Sequence, residues 1–140
     1  MKPEQRAYIT YRLERARGTL GEARMLLDAG CLHAAVNRLY YACFYAVSAL
    51  LLSEGRSSSK HTGIRALFNR EWVKTGRVPA EMGTFYRALF DHRHEADYED
   101  LAEFDPTEVR GWLDRAVAFV ADIAKRVEQQ LSQDLEPPPQ

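Results

Sequence analysis

The chain has 140 residues, 46% of them hydrophobic and 28% charged, with a formal net charge of −1 and a pI near 6.4. Such a length and apolar content suffice for one domain with its own core, without disulfides or metals. The near-neutral balance excludes a globally basic nucleic-acid binder, so any contact with RNA must come from a local cluster of arginine and lysine.

The first element is an amphipathic helix. Ile9, Leu13, Ala16, Leu20, Ala23 and Leu27 recur at alternating helical spacings, and Gly30 suits the left-handed position that ends it. Arg12, Arg15, Arg17 and Arg24 alternate with glutamates there and form a solvated face. Leu32 to Leu52 is mostly apolar but carries His33, Asn37, Arg38 and Ser48. An arginine inside a membrane span costs roughly 2.5 kcal/mol or more, so this segment is expected at the centre of a bundle rather than in a membrane. Leu39, Phe44, Val47 and Leu50 should be almost fully buried. A shorter helix is predicted from about Lys60 to Lys74, turning Ile64, Leu67, Phe68 and Trp72 or Val73 inward, with Gly76 closing it. The fourth helix starts near Pro79, carries Met82, Phe85, Tyr86, Leu89 and Phe90 inward, and reaches about Ala96.

After an acidic loop, Asp105-Pro106-Thr107-Glu108 forms a variant capping box. The fifth helix follows, with Val109, Leu113, Ala116, Val120, Ile123, Val127 and Leu131 on one face. No segment alternates as a strand. The expected fold is all-α: an antiparallel up-and-down bundle of four long helices and one short one, over residues 1–133, followed by a disordered proline-rich tail, 134–140. Cys31 and Cys43 lie in or beside an apolar run and form no CxxC pair. Both are expected to be reduced and buried in a cytoplasmic protein, with no metal and no cofactor. The N-terminus is polar and lacks the apolar stretch of a signal peptide.

Three blocks carry a family resemblance. Ala35-Val36-Asn37-Arg38-Leu39-Tyr40-Tyr41-Ala42-Cys43-Phe44-Tyr45-Ala46 lies on the second helix. Lys60-His61-Thr62-Gly63 follows, with Val73-Lys74-Thr75-Gly76 behind it. Leu89-Phe90-Asp91-His92-Arg93-His94-Glu95-Ala96-Asp97-Tyr98 closes the fourth helix. In this order they resemble the HEPN domain, in the branch with Lys-His-x-Gly and Arg-x-x-Ala-Asp-Tyr elements. The resemblance implies a helical bundle that dimerises. It also implies partnership with a small nucleotidyltransferase, often as a toxin–antitoxin pair, and a composite cleft that binds RNA or nucleotide. Active members cut RNA without metal, using an arginine followed, after four to six intervening residues, by a histidine.

Such chemistry needs a base of near-neutral pKa for the 2′-hydroxyl proton, which histidine supplies, and a fixed cation for the phosphate, which arginine supplies. The spacing leaves the assignment open. Behind Arg93 the window holds Tyr98, Glu99 and Asp100 but no histidine, whereas behind Arg87 it holds His92 and His94. At about 100° per residue, Arg87 and His92 stand about 140° apart, and Arg87 and His94 about 20° apart. The last two are roughly 10 Å apart along the axis. The catalytic candidates are therefore Arg93, His92, His94 and Arg87, with solvated histidines as the plainer reading of His92 and His94. Arg93 and Asp97, one turn apart, either tie down the helix end or form a phosphate-facing guanidinium oriented by Asp97, with Tyr98 as a hydroxyl donor.

Lys60 and His61 open the third helix behind three serines, where an anion is favoured, or where Ser59 merely caps a helix with a solvated lysine. Arg38, in the most apolar helix, is expected to pair with Asp97 or a glutamate, or to line a polar groove with Tyr41 and Arg93. Within the RNA-binding reading two versions stand, an endoribonuclease and a catalytically silent binding subunit, and the missing histidine in register behind Arg93 favours the silent one. A structural interaction module, docking a partner protein through its helices without catalysis, is the alternative to both. The aromatic surplus on the second and fourth helices leads us to expect a twofold homodimer.

Overall fold

The structure, a computed structural model, describes residues 1–135. Five α-helices make up the fold: α1 (Pro3–Asp28), α2 (Leu32–Ser53), α3 (His61–Phe68), α4 (Ala80–Tyr98) and α5 (Pro106–Leu135). No strand occurs among the described residues. The expected tail falls, from 136 onward, outside them, and α5 continues to Leu135. Gly30 adopts φ 79° between α1 and α2, the left-handed turn for which the sequence supplies a glycine. At the start of α5, Asp105 Oδ2 accepts the Glu108 amide at 3.3 Å, which satisfies one of the free N–H groups of the first turn.

α2 is the central element, packing against α1, α5, α4 and α3. By length and apolarity alone it is long enough to cross a membrane, but most of its apolar stretch is covered inside the bundle. Leu39, Val47 and Leu50 are fully buried as expected. Phe44 departs from expectation: it is only half-buried, because its ring lies at the edge of the core against His61, 4.3 Å between centroids. Cys31 also departs, being exposed in the α1–α2 connector. Cys43 is buried, and burial pushes its thiol pKa up. On α1 the buried stripe includes Thr19, while Leu20 packs at the margin. Phe119 of α5 completes an aromatic core with Phe68, Phe85 and Tyr86.

The third helix does not run regularly to Lys74. After Phe68 the backbone widens into a π-helical turn, Asn69–Val73, closed by the Lys74 amide on the Asn69 carbonyl at 2.8 Å. The turn carries Trp72 into the core, where its indole donates to Glu54 Oε1 at 2.8 Å. Arg77 stacks over the same ring at 3.5 Å. Gly83 of α4 lets the two segments meet: a Cβ there would stand 2.9 Å from Val73 Cγ2. That close approach sets the position of α4 beside α3, and with it the functional cluster described next.

Candidate functional site

α2 presents Asn37, Arg38, Tyr40, Tyr41 and Phe44 toward the ends of α3 and α4. The spacings of three, four and seven residues put them on one side of the helix. Tyr40 is wholly buried. Its ring lies parallel to Tyr86 (5.9 Å, 6°) and nearly so to His61 (5.7 Å, 27°). The Tyr40 hydroxyl and His61 Nδ1 are hydrogen-bonded at 2.8 Å. His61 is thus sandwiched between an aromatic face, Phe44, and a buried hydroxyl.

Arg93 enters from α4, its side chain only 14% exposed. Nη1 donates to the Tyr41 hydroxyl at 3.2 Å, and Cζ sits 5.2 Å from the Tyr40 ring centroid and 5.6 Å from that of Tyr41, within cation–π range. Nε faces Asp97 Oδ2 at 3.7 Å, too far for a hydrogen bond, and this buried N–H has no other partner. Both Asp97 oxygens accept from Asn37 Nδ2 at 3.1 Å. Asn37 Oδ1 in turn accepts from Arg38 Nε at 3.0 Å and Nη2 at 2.8 Å. Arg38 Nη1 reaches Glu22 of α1 at 3.7 Å, and its guanidinium covers Tyr41 at 5.1 Å. Arg38 therefore pairs with a glutamate, while Asn37 stands between it and Asp97.

The electrostatics follow from this packing. Burial lowers the His61 pKa, and the neighbouring Arg93 charge lowers it further, so the imidazole is neutral at pH 7. Burial raises Tyr40 to about 12, which keeps its hydroxyl protonated. Burial also opposes the Arg93 charge, but the Tyr41 hydroxyl, then Tyr40 and Asp97, hold its pKa above the usual arginine value. A permanent cation and a neutral imidazole thus meet over a floor of tyrosines.

The remaining candidates lie elsewhere. Lys60 is the exposed residue before α3; its amide donates to Ser58 Oγ at 3.2 Å, so Ser58 rather than Ser59 supports this helix start. His92 stacks on Trp112 of α5 at 4.1 Å and lies 3.9 Å from Glu95. His94 is exposed beside Tyr98, 5.0 Å between rings, and Tyr98 itself is 67% exposed. Arg87 is exposed on α4 and lines a separate pocket with α3. The structure gathers Arg93, His61, Arg38, Tyr41 and Asp97 into one cluster and leaves Lys60, Arg87, His92, His94 and Tyr98 outside it. The residues that sequence reasoning missed are Asn37, which links the two halves, and the role of Tyr40 as partner of His61. Asn37 could have been found as a second polar residue beside Arg38 on an otherwise apolar helix.

Fold and site together define an all-helical domain with an arginine–histidine–tyrosine centre. Residues 9–127 match the HEPN domain family, and the chain belongs to it. A UPF0332 protein of Thermotoga maritima is 50% identical over 125 residues, covering 89% of this chain and 95% of that protein. A protein of Methanocaldococcus jannaschii, named as a proposed toxin, is 30% identical over 113 residues, 81% of this chain and 77% of its own length. The crystal structure of TT1696 from Thermus thermophilus shares the fold with a TM-score of 0.70 at 23% identity, over 84% of this chain and 97% of that one.

Proposed function

We propose that this chain is the HEPN subunit of a toxin–antitoxin-type pair, that it binds RNA or nucleotide at the Arg93–His61 cluster, and that it cleaves RNA there. The observation that carries the reading is the meeting of Arg93 and His61 around Tyr40 and Tyr41. His61 and Arg93 supply in space the pair that the linear spacing lacks. Two relatives named as proposed toxins support the biological setting.

In this reading the His61 Nδ1–H donates to the Tyr40 oxygen. That hydrogen bond fixes the tautomer and leaves Nε2 as the acceptor for the proton of a ribose 2′-hydroxyl. The 2′ oxygen attacks phosphorus, the bond to the 5′ oxygen breaks, and water protonates the leaving oxygen. Arg93, held by Tyr41 and Asp97, faces the charge that develops on the phosphate, and its unpartnered Nε–H is the donor in reserve. A twofold homodimer and a small nucleotidyltransferase partner belong to the same proposal. Half-buried or exposed rings on α1 and α2, Tyr8, Tyr11 and Tyr45, lie beside Arg12 and Arg15, a composition enriched in protein interfaces.

The test is cleavage of single-stranded RNA in EDTA by the wild-type chain and by His61→Gln, each with its fold checked by circular dichroism. Cleavage by the wild type that His61→Gln abolishes is the expected result. Cleavage unchanged in His61→Gln, or absent from both proteins, overturns the catalytic part and leaves a binding or docking role.

A further inference from the structure

Arg87, drawn to attention by its sequence position, does not join the Arg93 cluster. It lines a pocket of about 300 Å³ between α3 and α4, together with Thr62, Arg65, Asn69 and Tyr86. Two properties set this pocket apart. First, it holds two arginines, one from each helix, and neither makes an ion pair among the described residues. Arg65 lies over the Phe90 ring at 4.4 Å, which fixes its stem without neutralising its charge. Second, its floor is the ring of Tyr86, which is wholly buried with its hydroxyl turned toward that of Tyr40.

The local backbone supports a built site. Asn69 opens the π-helical turn, and such turns occur disproportionately at functional positions. The contact of Gly83 with Val73 fixes how closely α4 approaches that turn. Two guanidinium forks, a hydroxyl at Thr62 and an amide at Asn69 present more donors than a carboxylate's two oxygens use. They suit the several oxygens of a phosphoryl group, which arginine recognises through its fork. The volume is at the lower end for small-ligand sites.

We propose that the α3–α4 pocket is a second anion site, in which Arg65 and Arg87 take a phosphoryl group carried by a free nucleotide or by a nucleic-acid strand. It is separate from the Arg93–His61 cluster and does not depend on that cluster binding RNA. Tyr86 stacks on Tyr40, which bonds His61, so the two sites share a wall.

The test is NMR on the isotopically labelled full chain, following the Asn69 side-chain amide and the arginine Nε–Hε signals during titration with AMP and, separately, a short single-stranded RNA. Saturable shifts at Asn69, Arg65 and Arg87 are expected. AMP acting alone identifies a free nucleotide as the source, RNA alone identifies a strand, and both acting identifies a site indifferent to the carrier. Arg87→Gln, at an exposed position, should weaken the binding about tenfold, the equivalent of about 1.4 kcal/mol. Arg65→Gln should do the same and Arg65→Lys should lose less, whereas Arg93→Gln should leave these shifts in place. No saturable shift with either titrant overturns the proposal, as does binding that Arg65→Gln and Arg87→Gln leave unchanged.

Discussion

Tyr40→Phe removes one oxygen from the centre of the cluster and leaves the rings. The buried Tyr40 ring keeps its stacking on Tyr86 and His61, so the main loss is the 2.8 Å hydrogen bond with His61 Nδ1, and the cycle with His61 isolates it from the hydroxyl's contact with Tyr86. A neutral hydrogen bond of this kind contributes about 0.5–1.5 kcal/mol net. His61 is half-buried, so water can partly satisfy Nδ1 once the hydroxyl has gone, which places the cost near 1 kcal/mol. For a chain of this length that corresponds to a fall in Tm of about 3–5 °C. The assay is urea unfolding at pH 7 of four proteins: wild type, Tyr40→Phe, His61→Phe and the double variant. The coupling energy of this cycle should be near 1 kcal/mol. Additivity within about 0.3 kcal/mol would refute the hydrogen-bonded pair and, with it, the tautomer assigned to His61.

Three further outcomes follow from the packing and the electrostatics. Leu50→Ala, at the fully buried centre of α2, should cost about 2–5 kcal/mol in the same urea assay, and a loss below 1 kcal/mol would contradict a tightly packed α2. Gly83→Ala should cost about 1–3 kcal/mol, because its Cβ would press on Val73 at 2.9 Å, and an unchanged Tm would show that the π-helical turn yields freely. The pH dependence has a definite sign. His61 has a lowered pKa in the fold, so the unfolded chain takes up its proton first as the pH falls. The stability that His61 contributes is therefore complete above its unfolded value of about 6.5 and is lost as pH falls through the folded value. The difference in stability between wild type and His61→Gln should shift in that direction between neutral and acidic pH, and a flat difference would contradict the burial.

The helices were legible in the sequence because each writes its buried stripe at helical spacing: Ile9 to Leu27 on α1 and Val109 to Val127 on α5. Their ends were legible where one residue does the work, as Gly30 and Asp105 do. The π-helical turn was not, since it depends on Trp72 reaching Glu54 and on Gly83 admitting Val73, contacts between distant segments. The cluster was half legible. Arg93 and Asp97 share a helix, and their proximity follows from one turn of spacing. His61 lies on a different helix, so a search of the residues just behind an arginine could not reach it. Its pairing with Tyr40 and Arg93 comes from the way α2 supports both α3 and α4. Tyr40, in the aromatic run on α2, belongs to the core, yet its hydroxyl and that of Tyr41 are also the groups that hold His61 and Arg93.

Arg93 distinguishes an RNA or nucleotide site from a helix-end clamp, and the deciding measurement is the affinity of Arg93→Gln for single-stranded RNA, set beside its melting temperature. Losing a charged hydrogen bond to phosphate should weaken binding by about 1–3 kcal/mol, roughly 5- to 150-fold. Stability should fall as well, because the Tyr41 hydrogen bond and the cation–π contacts with Tyr40 and Tyr41 go with the guanidinium, while the 3.7 Å contact with Asp97 adds little; the account requires the loss of affinity beside it. A marked loss of stability with RNA affinity unchanged would contradict the account.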